Sequence, residues 1–233
     1  FPNTIIHGVT RFGREGQTCV QSFDWLKKYT PIDFFILQGS LPRFVRPSLE
    51  SFPLVSPRLI ACSERRDYWD NMLNKLGPGK KIGISWRSIL IDEYRSSHYP
   101  AIEDWKPLFN LKNVQFINLQ AEISEEEIKF ISDECGVNLH IFSEIDLIED
   151  VDDLAALCES LDCIVTTLGS IQWLGAAIGT PVWSVALGQK NNHWNLLGQD
   201  HYPWFPDLNI SFAEDTDVLD KKFRQVANEV SLI

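Results

Sequence analysis

The sequence predicts an α/β fold: a Rossmann-like parallel sheet with helices on both faces. Three observations carry this. From residue 81 to 187, apolar runs of strand length alternate with segments of helical spacing. No hairpin signal joins consecutive runs, so each pair needs a crossover, which makes right-handed βαβ units. Finally, in "TTLGSIQWLGAAIGTPVWSV" (166–185) a Gly-Ser turn and a helix rich in small residues separate two apolar strands.

Taken in order, "TIIHGVT" (4–10) reads as a β-branched strand, "QSFDWLKKY" (21–29) as a helix and "IDFFILQ" (32–38) as a strand. "GSLPRFVRPSLESFP" is broken three times by proline and reads as loop with one helical turn. In "SERRDYWDNMLNKL" (63–76), Ser63 is the expected N-cap, and Arg66, Trp69, Leu73 and Leu76 mark helical spacing. "GPGKK" (77–81) is a turn and the best candidate for a domain linker.

Beyond it, strands are expected at 81–87, 114–120, 138–142, 162–167 and 181–187. Helices are expected at 101–110, 124–135, 150–161, 169–178 and 217–233. Ser124 with Glu127 three residues later is a capping box. Acids in the first turn of 150–161 suit the helix dipole.

At 233 residues the chain has room for one large domain or two smaller ones. Its 44% hydrophobic and 23% charged content is that of an ordinary soluble globular protein. A net charge of −11 argues against a nucleic-acid groove or a surface for anionic membranes, which need basic patches. It does not exclude an anionic ligand, because a helix N-terminus can hold a phosphate inside an acidic protein. The acidic block 144–153 reads as a solvated loop and helix start rather than a metal site.

Five scattered cysteines include no CxxC pair and fit a reduced compartment. With no signal peptide and no membrane-spanning apolar run in the sequence, a cytoplasmic protein is expected. The chain opens on Phe1 rather than methionine, so it is expected to be part of something longer.

Parallel sheets bind ligands where the strands' carboxyl ends meet loops. At 166–185, Gly169 permits a positive φ or close backbone approach, and Ser170 offers a cap and a hydroxyl. The first-turn amides then suit a diphosphate, unless Gly-Ser is merely a tight turn. Gly175, Ala176 and Ala177 let the helix lie close on the sheet.

In "SWRS", Arg87 could pair with phosphate bidentately or simply sit exposed in a loop. Arg95 and His98 lie in a long polar loop able to fold over a ligand. His193 and Trp194 could stack on a base or hold phosphate, and Gln120 could bond a base or ribose. There is no GxGxxG, no P-loop, no His/Cys metal spacing and no declared Ser-His-Asp arrangement.

The succession "KIGISWRS", "WKPLF", "VQFINLQ", "DVDDLAALCESLDCIVTT", "WLGAAIGTPVW" and "HYPWFP" resembles one family. It is that of the ADP-heptose:lipopolysaccharide heptosyltransferase-like glycosyltransferases, in the branch joined to tetratricopeptide repeats. The likeness runs from about residue 30 to 212.

It implies a GT-B fold, with 1–77 the remaining part of an N-terminal, acceptor-side domain and 78–212 the C-terminal nucleotide-sugar domain. The helix at 213–233 would pack back towards the N-terminal part. The family pattern places Gly169 and Ser170 at the donor's phosphates, Ser85, Arg87 and Ser88 in a phosphate-contacting loop, and Gln120 near the nucleoside. Arg95, Thr167, Trp173 and His193 complete the candidate donor site.

The implied reaction is an inverting transfer from a nucleotide-diphosphate sugar to a glycan, lipid or protein acceptor. A carboxylate deprotonates the acceptor and positive groups stabilise the leaving diphosphate, with no metal or other cofactor expected. Tetratricopeptide repeats in the same polypeptide are a further implied partner.

The departures are specific. Leu168 and Gly169 stand where the family commonly has Asp-Thr, Trp173 replaces a histidine, and His193 replaces an arginine. The sequence names no catalytic base. A catalytically degenerate binding or scaffold module is therefore the competing expectation, ahead of a nucleotide-sugar epimerase.

Overall fold

The computed structural model describes residues 24–52, 54, 59–89, 96–188 and 196–233. The chain divides into two compact units, Phe1–Pro47 and Ser48–Ile233.

In the first unit, Asp24–Tyr29 and Gln38–Ser40 are 3₁₀ turns and α1 spans Pro42–Val45. The strand expected at 32–38 is not formed, and Phe34 and Phe35 are 94% and 83% exposed. A strand needs a ladder partner to satisfy its amides, and this run has none among the described residues. The strand expected at 4–10 lies outside the described residues.

The second unit carries the sheet. Its strands are β1 Lys80–Ser85, β2 Val114–Asn118, β3 Leu139–His140, β4 Cys163–Thr166, β5 Val182–Leu187 and β6 Leu208–Ala213. All pair in parallel, in the order β3-β2-β1-β4-β5-β6. The sixth strand was not expected from the sequence. The order reverses direction between β1 and β4, where such sheets open a crevice at the strands' carboxyl ends.

The helices are α2 Ser63–Asn74, α3 Lys106–Phe109, α4 Glu125–Lys129, α5 Val151–Glu159, α6 Ser170–Ile178 and α7 Thr216–Leu232. A 3₁₀ turn, Ile102–Trp105, leads into α3, and a π-helical turn, Phe130–Glu134, extends α4.

Strand side chains alternate between two cores, as the pleat requires. Ile164 and Val182 face one core with Trp69 and Leu73 of α2, Leu154 and Leu157 of α5, and Ile171 and Ile178 of α6. Ile82, Ile84, Val165 and Val185 face the other, with Trp105, Leu108, Ile131 and the Leu219, Phe223, Val226 and Val230 stripe of α7.

Two boundaries differ from the expectation. The N-cap of α2 is Cys62, not Ser63. The helix itself belongs to the sheet unit, although the sequence placed the junction at 77/78. The physical tie is Asp153 of α5, whose carboxylate accepts from Arg65 Nε at 2.6 Å, from its terminal nitrogen at 2.7 Å, and from Trp69 Nε1 at 2.8 Å. The expected helix at 213–233 is α7, and it lies on α3, β5 and β6 of the same unit.

Among the described residues, no helix is long and apolar enough to cross a membrane.

Candidate functional site

At the carboxyl ends of β1, β2 and β4 the loops form a crevice of about 100 Å³. It is lined by Ser85, Arg87, Ser88, Gln120, Thr166, Thr167, Leu168, Gly169, Ser170 and Ile171, with Ile89, Leu119, Ala121 and Leu147. Seven of the ten candidate residues come together here: Ser85, Arg87, Ser88, Gln120, Thr167, Gly169 and Ser170. Arg95 and His193 lie outside the described residues.

Trp173 stands elsewhere. Its ring meets Tyr202 at 4.9 Å and Phe205 at 5.7 Å between centroids, packed on the α2/α5/α6 core. It is not part of the crevice lining. Trp173 lies nearly one turn further along the helix than Ser170, on neighbouring helix surface, and there its ring is taken up by Tyr202 and Phe205. His98 is set beside β5, where its carbonyl accepts from the Leu187 amide at 3.1 Å.

The start of α6 is built differently from the expectation. Gly169, not Ser170, is the N-cap, and no side chain caps the helix among the described residues. Gly169 does not use a positive φ: its backbone is fully extended, at φ 179° and ψ −173°. A Cβ there would meet no atom within 4 Å, so the glycine leaves open space beside the uncapped turn.

Behind it, Gly175 sets the depth. A Cβ would come within 2.7 Å of Ile164 Cδ1 and 2.8 Å of Val182 Cγ2. That close seating on β4 and β5 fixes the helix terminus at the crevice, where the first amides have no intrahelical partner and a partial positive charge gathers.

The floor is polar and largely buried. Thr166 Oγ1 donates to the Ser85 carbonyl at 2.9 Å, tying β4 to β1, and the Thr167 amide donates to the same oxygen at 3.1 Å. Ser184 Oγ donates to Gln172 Oε1 at 2.6 Å beneath α6. Thr167 Oγ1 and Gln172 Nε2 are buried without a hydrogen-bond partner among the described residues.

The "SWR" loop is held from two sides. Gln120 Oε1 accepts from Ser85 Oγ at 3.2 Å and from the Trp86 and Arg87 amides at 3.1 Å each. Gln120 thus serves as a clamp on the amides of this loop. Glu127 holds the side chains. Its carboxylate accepts from Trp86 Nε1 at 2.6 Å, and from Arg87 at 3.0 Å (Nε) and 2.9 Å (a terminal nitrogen).

Glu127 also closes the expected capping box with Ser124, at 2.8 and 3.2 Å. Burial would raise its pKa, but Arg87, the Ser124 amide and Trp86 outweigh burial and hold it below the ordinary glutamate range. The sequence reading used Glu127 only as a cap. Nothing in its spacing shows the pair with Arg87, forty residues away. Among the described residues, no group of three His, Cys, Asp or Glu side chains is placed to hold a metal ion.

No known family model matches the chain. Protein FlbA of Caulobacter vibrioides is 30% identical over 227 residues, which is 97% of this chain and 37% of FlbA. Among solved structures, the chain resembles Escherichia coli ADP-heptose LPS heptosyltransferase II, with a TM-score of 0.53 at 13% identity over 81% of this chain and 57% of that one. It also resembles a family 9 glycosyl transferase from Veillonella parvula, with a TM-score of 0.52 at 11% identity over 73% and 46% of the two chains.

The chain therefore spans less than two thirds of each of these three proteins. At these identities the structural likeness shows the fold alone: a Rossmann-like α/β unit with a parallel sheet, of the GT-B kind.

Proposed function

We propose that this chain binds a nucleotide-diphosphate sugar in the β1/β2/β4 crevice, as the donor half of an inverting glycosyltransferase. The observation that carries this reading is the start of α6, which opens on the crevice with no side-chain cap, beside the buried hydroxyl of Thr167, itself without a partner among the described residues. Helix-terminal amides and hydroxyls are suited to a diphosphate and to the charge that grows on it as it leaves. The acceptor would be a glycan, lipid or protein, met by polypeptide on the far side of the donor. Tetratricopeptide repeats in a longer polypeptide would serve that acceptor. The reading assigns leaving-group stabilisation to amides and hydroxyls, so neither binding nor turnover should need a divalent metal.

Calorimetry with a panel of ADP-, UDP- and GDP-sugars tests it. One of them should bind at micromolar concentration in the presence of EDTA. Failure of the whole panel would remove the proposal.

A second reading is favoured by one observation, the engagement of Arg87 by Glu127. In a non-catalytic module of the same fold, the arginine would be purely structural and Ser170→Ala with Arg87→Ala would leave cellular function unchanged. A clear loss of function in those variants excludes the module.

A further inference from the structure

Arg87 is the one ionisable side chain among the described residues that line the crevice; the others are Ser, Thr, Gln, Gly, Ala, Leu and Ile. Its charge is not available as a bare cation. Glu127 grips it bidentately, with the two side chains only 19% and 16% exposed. A bidentate guanidinium–carboxylate pair of low exposure keeps its geometry, unlike a loose surface pair. The same carboxylate is pinned by the Trp86 indole and the Ser124 amide, so it cannot swing away while α4 keeps its cap.

We infer that Glu127, a residue outside the lining, sets the anion affinity of the crevice by neutralising Arg87 in place. This rests on the donor-site reading of the crevice. The described walls then present dipoles and hydroxyls with no net charge, and an anion is selected by fit to the α6 terminus rather than by bulk attraction. Glu127 is thus a positioning and specificity-determining residue. It holds the "SWR" loop in shape and prevents the site from becoming a general trap for polyanions.

The charge logic gives an ordering. Glu127→Gln keeps one acceptor oxygen, enough for Trp86 or Ser124 but not for both, and releases a positive charge at the rim. Arg87→Gln leaves an uncompensated carboxylate there. The double substitution returns the rim to neutrality.

For a multiply charged anion, one rim charge several ångströms away changes affinity by about tenfold at low salt, falling as salt rises. Inorganic pyrophosphate should therefore bind Glu127→Gln about tenfold more tightly than the parent chain and Arg87→Gln about tenfold more weakly. The double variant should lie within about threefold of the parent.

The experiment is calorimetric titration of the four 233-residue chains with pyrophosphate and, separately, with ADP, each at two salt concentrations. A thermal melt of each variant confirms that it is folded. The inferred role is upheld by the opposite signs of the two single substitutions, their cancellation in the double, and a steeper salt dependence in Glu127→Gln. A merely structural role cannot produce opposite signs.

Equal affinities, weakening in every variant, or no pyrophosphate binding by any chain overturns the inference. If the ordering holds for pyrophosphate while ADP binds no more tightly than pyrophosphate, Glu127 keeps its role and the nucleotide-sugar reading falls. If ADP binds the parent chain but Glu127→Gln binds it no better, the inference falls and that reading stands.

Discussion

Gly169→Ala separates folding from binding at the start of α6. The added methyl meets no atom within 4 Å, and the native backbone, at φ 179° and ψ −173°, is open to any residue. Alanine is the poorer N-cap, by up to about 1 kcal/mol. It also removes unfolded-state freedom worth about 0.4–1 kcal/mol. The two nearly cancel, so stability should stay within about 0.5 kcal/mol of the parent chain.

Binding has no such compensation. A phosphate oxygen accepting from a helix-start amide lies about 2.9 Å from its nitrogen, close enough for a methyl on the N-cap residue to crowd it. Losing one hydrogen bond to a charged group costs about 1.5–3 kcal/mol, so nucleoside diphosphate affinity should fall by about ten- to a hundredfold. Urea denaturation and calorimetry on the same preparation read both quantities. Parent-like affinity in a folded Gly169→Ala chain would show that the ligand does not approach this turn. Loss of fold would show that the space at Gly169 is not open.

Other expectations follow from the buried groups. Asp153→Ala orphans the indole N–H of fully buried Trp69 and should cost about 2 kcal/mol in urea denaturation at pH 7. Arg65 and Trp69 outweigh burial and hold the Asp153 carboxyl below its ordinary range, so its contribution is full above about pH 4. The gap between parent and variant should therefore shrink as pH falls through the depressed value; a gap that grows on acidification contradicts the pairing.

Burial pushes the thiols of Cys158 and Cys163 up to about 12, whereas Cys62 is exposed. A thiol reagent at pH 8 should modify Cys62 in the native chain and reach Cys158 and Cys163 only on unfolding, as peptide mass mapping would show. Rapid native labelling of Cys158 would refute the packing described.

Five strands of the sheet and the α6 turn were legible because apolar runs and small residues at helical spacing are local signals. The sixth strand, Leu208–Ala213, carries an alternating L-N-I-S-F-A pattern that marks a strand with one less apolar side. Its neighbours Pro203 and Pro206 suggest loop instead. At 32–38 the error ran the other way: an apolar run promised a strand, but pairing is a tertiary property that the run does not encode.

Within the site, the positions of Gly169 and Ser170 were readable, and the extended backbone of the glycine was not. Trp173 belongs to the candidate site by its place in a motif, but a turn further along α6 its ring packs on Tyr202 and Phe205, a tertiary contact the motif does not encode. The Arg87–Glu127 pair was hidden because it joins two βαβ units across the sheet top, and sequence spacing carries no record of that meeting.

The measurement closest to the central claim is an amide-resolved NMR titration of the chain with ADP, UDP and GDP. The amides of Gly169, Ser170, Ile171 and Gln172 should shift together and saturate with one nucleotide, at a dissociation constant equal to the calorimetric one. Saturable binding that leaves those four amides unmoved would contradict the claim that the α6 terminus receives the diphosphate, and so would no binding by any of the three.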